Sequence, residues 1–408
     1  MKKLKLLLVT LILVMSITSC DDSDTIDTIE IIKKDVTITS ILPVTATIGD
    51  IITVNGQNFD INDTYNIFFN GLEGTVTEVT TTYLKVAVPE RAKTGEITIN
   101  YNGKTINAGT ITIVNVFTGH VLLLTQQEVE DFGANNYSAI IGSLTIGWDN
   151  NLTPASIVSL ESLSALTTIS LPLKIEGNTA LTNLEGLNNV IETGDLIIQR
   201  NSALANVDGL NSLTTTGTIN IYYNPLLSSV EGLSSLTVAD LLYINGNASL
   251  TSLNGLHNLT TITDSLEISR TALTNLEGLN GLTTIGYELN INYNDALVSI
   301  DGLNNLTSVS EYIYIERNPL LTNLDGFISL ISVGEEFEIY SNDALTSIDG
   351  LNNLTNVGYS LDFDENSTLS NFCSLNTLII DNGFTKLNVR RCAYNPTSQD
   401  IIDGNCSQ

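Results

Sequence analysis

The chain has 408 residues, with 16 Lys and Arg against 45 Asp and Glu, and a formal net charge of −29. A polyanion of that size repels nucleic acid and anionic headgroups, which excludes them as partners. Hydrophobic residues make up 42% and charged residues only 15%, so the chain can bury a large core and is not a disordered polyanion.

Lys2, Lys3 and Lys5 precede an apolar run, Leu6 to Met15, that is too short to span a bilayer comfortably. Residues 1–19 therefore read as a signal peptide, and losing those three lysines leaves 13 cations against 45 acids, a net charge of −32. Residues 20–35 read as a polar, acidic tether. Residues 36–116 are rich in Thr, Val and Ile with period-two alternation, as in Ile51 to Val54 and Ile97 to Tyr101. About eighty residues of short strands predict an immunoglobulin-like sandwich. Asn55-Gly56 and Asn102-Gly103 are predicted to occupy tight turns that need positive φ.

From residue 117 to 408 the expectation is a solenoid. Gly186, Gly209, Gly232, Gly255, Gly278, Gly302, Gly326 and Gly350 recur every 23 or 24 residues, a period that marks stacked coils. One unit reads Leu297, Ile300, Leu303, Leu306, Val309, then a strand Tyr312-Ile313-Tyr314-Ile315 with alternate side chains inward. Asn178, Asn201, Asn224, Asn247, Asn294, Asn318, Asn342 and Asn366 form a second register just after each strand. Stacked Asn side chains can donate and accept along the coil axis, so this row is predicted to be a structural ladder. Arg270-Thr271 breaks it in one shorter coil.

Regular repeats are expected over about 173–366, between caps at about 120–142 and at 367–408. At the first cap, Val121 to Leu124 reads as a strand, and Thr125-Gln126-Gln127-Glu128 as a capping box opening a helix that ends near Gly133. At the second, Cys373, Cys392 and Cys406 are predicted to form one disulfide with one thiol left over, the pairing being open.

Four resemblances add to this. Ile17-Thr18-Ser19-Cys20 resembles the lipobox of bacterial lipoproteins, and Asp21-Asp22-Ser23-Asp24 resembles the export signal of Bacteroidetes-type surface lipoproteins. These imply a lipidated Cys20, attachment to a membrane through that anchor, and an outer-membrane position facing the cell surface. Ile41-Leu42-Pro43, Val54-Asn55-Gly56-Gln57-Asn58-Phe59, Val88-Pro89 and Thr94-Gly95-Glu96-Ile97 resemble the IPT/TIG family, with Phe59 as a core plug. The repeat resembles leucine-rich repeats of the receptor L-domain type, which implies a right-handed coil with a parallel sheet on one face.

The expected fold is therefore mainly β, a sandwich followed by a solenoid. Only His120 and His257 are available as near-neutral acid–base groups, and they stand far apart in the chain. No catalytic residue, metal or cofactor is expected. The candidate ligand-binding residues are the outward ones of the repeat strands: Tyr243, Asn290 and Tyr314 just before the last inward residue, and Tyr222, Asn245, Asn292, Glu316 and Tyr340 just after it. Tyr223 and Tyr293 lie beside them, with Arg200, Arg270 and Arg317. Tyr with amides suits recognition of a protein or glycan. The expected function is non-catalytic adhesion or recognition, the alternatives being glycan capture for nutrient uptake or a structural envelope role without a specific ligand.

Overall fold

The computed structural model describes residues 34–147 and 156–408. The signal segment, Cys20, the tether through Lys33 and Trp148 lie outside the described residues.

In the first region, alternation buries one side of every strand. Thr37–Leu42, Ile51–Gln57 and Tyr83–Ala87 pair antiparallel. The long strand Leu72–Val79 connects them to Asn66–Phe69, Gly95–Tyr101 and Lys104–Ile113. Ile52, Val54, Ile67, Phe69, Leu84, Val86, Ile97 and Ile99 are fully buried between these strands. Phe59 is the expected plug: it is buried and meets Tyr65 edge-on, and Tyr65 stacks on Tyr101 at 4.8 Å. Asn102-Gly103 does form a positive-φ turn, with φ of 49° and 73°. Asn55-Gly56 does not. Gly56 lies inside the strand Ile51–Gln57, and it must be Gly because the Thr37 carbonyl and the Phe59 ring occupy the space a Cβ would need.

The solenoid begins earlier than expected. Val116–Thr118 pairs in parallel with Ala139–Ile141, so Val116 belongs with the coils and not with the sandwich. The main sheet has 12 parallel strands, from Val121–Leu123 to Leu387–Arg390. Sheets of 4 and 6 short strands run along a second flank, and 3-10 turns such as Asp208–Leu210 and Asp349–Leu351 line a third. The apolar triplet spacing fills the interior: Leu297, Ile300, Leu303, Leu306, Ile313 and Ile315 are all fully buried. Each such side chain contributes roughly 1.5–3 kcal/mol, and only the neighbouring coils supply the cover.

The glycine row has a steric cause. A Cβ on Gly232 would strike the Val207 carbonyl of the preceding coil, and one on Gly350 would strike that of Leu324. Successive coils approach too closely there for any side chain, whatever the backbone angle.

Both ends are closed. Thr125 and Glu128 complete a capping box on the helix Gln126–Gly133, and Gln126 Oε1 accepts from the Val158 and Ser159 amides of the next coil. At the far end, Leu387–Arg390 adds one strand beyond the regular repeats and Cys373 bonds to Cys406. Cys392 is the unpaired thiol, buried, and burial pushes its pKa up. Among the described residues no helix is long and apolar enough to cross a membrane.

Candidate binding face

Each coil turns away from the sheet through two adjacent residues with opposite fates. The second is the ladder Asn. All eight predicted ladder residues are fully buried. Asn318 is typical: its Nδ2 donates to the Ile291 carbonyl at 3.0 Å and to Asn342 Oδ1 at 3.2 Å, while its Oδ1 accepts from the Asn294 amide at 3.1 Å. Thr271 takes the rung in the short coil, its Oγ1 donating to Asn294 Oδ1 at 2.8 Å. Cys392 falls at the same register after Asn366, since Asp364 pairs with Arg390 two residues earlier.

The first residue of the pair is left-handed in ten successive coils: Gly177, Arg200, Tyr223, Gly246, Arg270, Tyr293, Arg317, Ser341, Glu365 and Arg391, with φ between 52° and 69°. Glycine fits that conformation freely, yet eight of the ten are not glycine. Each non-glycine residue there costs on the order of 1–2 kcal/mol.

These left-handed side chains lie along the outward residues at the strand ends. Tyr223 packs edge-on against Tyr222 at 5.7 Å, and its ring takes the space beside Gly246. Arg317 stands 5.4 Å from the Tyr340 ring, and Arg391 holds Asp364 through two bonds of 2.7 and 2.6 Å. That guanidinium keeps the Asp364 carboxyl below the usual carboxylate range. The strand-end column Glu176, Gln199, Tyr222, Asn245, Ser269, Asn292, Glu316, Tyr340, Asp364 is in continuous register. Part of it is hidden. Asn245, expected on the exposed face, is only 4% exposed, and Gln199 and Ser269 are likewise buried. The side chains of the left-handed row and of neighbouring strand ends close over this edge, so an outward pleat position is not automatically a wet one.

The other expected residues do share one face. Tyr243, Asn290 and Tyr314 are half-buried members of the parallel column, with Glu267 between the first two and Glu338 after the third. Tyr222 meets Tyr243 edge-on at 6.1 Å, and Tyr312 stacks on Tyr314 at 5.9 Å. Burial, and then the neighbouring Glu316 and Asp362 charges, push the Glu338 carboxyl above its ordinary value. Burial likewise pushes up the Tyr314 hydroxyl. Among the described residues no helix or further strand covers this face.

The two histidines stand apart from it. His257 is exposed on the 3-10 flank, within a depression also lined by Glu231, Glu277 and Asn280. His120 lies 2.9 Å from Ser143 Oγ and also takes the Ser143 amide on the same Nδ1. That pair was not predicted. No carboxylate orients the ring among the described residues, and the nitrogen nearest the hydroxyl is engaged by backbone.

The antiparallel sandwich and the parallel solenoid define a mainly β protein with an immunoglobulin-like domain in front of a repeat array. Residues 36–114 match the IPT/TIG domain family, and that segment is an IPT/TIG domain. No curated protein matches the chain. Among solved structures, a protein of Bacteroides thetaiotaomicron whose name proposes phosphatase activity is similar at 24% identity over 20% of this chain and 18% of that one, with a TM-score of 0.18.

Proposed function

We propose that this chain is a non-catalytic surface lipoprotein that recognises a protein or glycan through the outer face of its 12-stranded sheet. On this reading the solenoid is a leucine-rich array of the receptor L-domain type. Cys20 carries the lipid anchor, and the IPT/TIG domain is a spacer between the outer membrane and the coils. One observation carries the proposal: parallel sheets are normally covered on both faces, and this one leaves an outer face of Tyr, Asn and carboxylates, edged by Arg, uncovered among the described residues. Rigid aromatic area beside adaptable amides is the composition of recognition surfaces.

The test combines address and face. Palmitate labelling in the native host should mark the chain and be lost in Cys20→Ala. Protease added to intact cells should remove the solenoid. Replacing Tyr222, Tyr243, Tyr314 and Tyr340 by Ala should abolish capture of the partner by purified protein while the unfolding midpoint moves little. Capture that survives the quadruple substitution removes the sheet face as the site.

A further inference from the structure

The two ends of the main sheet are finished differently. At the first strand the helix Gln126–Gly133 lies over the core, and Val121 and Leu123 are buried. At the far end the cap folds beside the 3-10 flank, where Ser398–Ile402 meets Thr377–Asp381, and leaves the edge of the last strand open. The inward residues of that strand, Leu387 and Val389, touch the core but are only half-buried. Their partners in the preceding strand, Leu361 and Phe363, are fully buried. The backbone of the last strand is also half used. The Lys386 and Arg390 carbonyls accept from the Leu361 and Glu365 amides, both at 3.2 Å. Parallel pairing engages alternate residues, so Leu387 and Val389 turn their amides and carbonyls away from the sheet. No described residue bonds them.

The same edge is where the charge of the chain reverses. Residues 382–399 contain no acid in a chain that has 45, and 3 of the 7 cations from residue 117 onward lie there: Lys386, Arg390 and Arg391. Arg391 is committed to Asp364 and Glu365. Lys386 lies over the Tyr359 ring at 4.3 Å and has no acid partner among the described residues. The Arg390 side chain is 67% exposed and reaches the same Asp364 at 3.3 Å, behind the 2.6 Å of Arg391. In register, Arg390 has Asp364 on one side and no neighbouring strand on the other.

We infer that the open edge of Leu387–Arg390 takes up a strand from a partner protein whose side chains alternate between apolar and acidic. The added backbone bonds the free groups of Leu387 and Val389, its apolar side chains cover the half-exposed end of the core, and its acids stand beside Lys386 and Arg390. Charges on an edge strand ordinarily guard it against pairing. Here they share one sign, so the guard is selective. A second copy paired antiparallel about Asn388 would set Lys386 of each chain against Arg390 of the other, like charge beside like. An acidic strand meets opposite charge at both positions. The unmet groups are backbone amides and carbonyls at strand spacing, which another strand matches and a glycan does not. This edge is separate from the recognition face proposed above and does not rest on it.

The test uses the full chain and three short peptides: alternating Glu and Val, the same sequence N-methylated along its backbone, and alternating Lys and Val. Methylating the peptide removes the strand donors without touching the fold of the protein. Fluorescence anisotropy should show the Glu peptide binding at least tenfold more tightly than either of the others. Hydrogen exchange should slow at the Leu387 and Val389 amides when it is bound. Lys386→Glu with Arg390→Glu should turn the preference toward the Lys peptide, whereas replacing Tyr222, Tyr243, Tyr314 and Tyr340 by Ala should leave Glu-peptide binding at the parental level. Equal binding of the acidic and basic peptides, undiminished binding of the methylated one, or no binding of any overturns the inference. So does a dimer in sedimentation that Val389→Pro dissolves, since a second copy would then occupy the edge.

Discussion

Arg317 and Asn318 are neighbours in one turn, and the chain treats them in opposite ways. Asn318 is fully buried and identical to its counterparts in almost every coil. Arg317 is exposed, strained into the left-handed region, and replaced in other coils by Tyr, Gly, Ser or Glu. The inner row is uniform because each Asn completes the backbone of the coil before it and any other side chain leaves that bond unmade. The outer row touches neighbouring coils through side-chain contacts at the surface, such as Arg391 on Glu365 and Arg317 on Tyr293, so its residue type can vary without leaving a buried backbone bond unmade. Uniformity therefore marks the fold, and strained diversity marks the surface proposed here for recognition.

The largest effect should separate these two rows. Asn318→Ala removes the donor to the Ile291 carbonyl and the acceptor for the Asn294 amide, so urea unfolding should report a loss of about 3–5 kcal/mol. Arg317→Ala should cost less than about 1 kcal/mol. Equal losses would break the comparison.

Next comes the far cap. Serine at Cys373 or Cys406 opens a bridge across 33 residues and should cost about 3–4 kcal/mol. Serine at Cys392 should produce no mixed disulfide and leave the bridge intact by non-reducing mass spectrometry.

The charged end of the face gives a pH signature. Folding raises the Glu338 pKa, so the folded state favours the protonated form. Its penalty is present at neutral pH and relieved as pH falls through the folded value. Glu338→Gln should therefore raise the thermal midpoint near pH 7, and the gain should vanish in acid. Asp364 has the opposite sign. Its pKa is lowered by Arg391, so its contribution is present above the unfolded value and lost as pH falls through the folded one. Asp364→Asn should destabilise at neutral pH, with a difference that fades in acid.

The smallest effect is the sharpest test of strain. Arg270→Gly relieves the left-handed backbone and loses one exposed cation–ring contact, terms of about 1 kcal/mol each and opposite in sign. Calorimetric unfolding should show near-neutrality, within about 0.5 kcal/mol. A large loss would mean that the outer row is there for stability after all.

Much of this arrangement was legible in the sequence because a repeat states each rule many times. The Asn row and its break at Thr271 are visible as spacing, and the ladder bonds are what an amide must make there. The IPT/TIG segment was readable from its turn and plug residues, although Gly56 serves close packing and not a turn. What spacing does not encode is the distance between coils. The reason for glycine at Gly232 or Gly350 is a carbonyl of another coil. The burial of Asn245 depends on side chains packed over the strand ends, and the choice of Cys406 for Cys373 depends on how the cap folds back. Arg270 and Arg317 could be placed beside the face from their position before the ladder residue. Their approach to the Tyr293 ring, at 4.7 and 5.1 Å from its centroid, required coordinates.

The most direct measurement of the central claim is partner capture by the full chain with Tyr222, Tyr243, Tyr314 and Tyr340 all replaced by Ala, read together with the unfolding midpoint of the same sample. Capture should be lost while the midpoint stays within a few degrees of the parent. Capture at the parental level on a folded variant would contradict it.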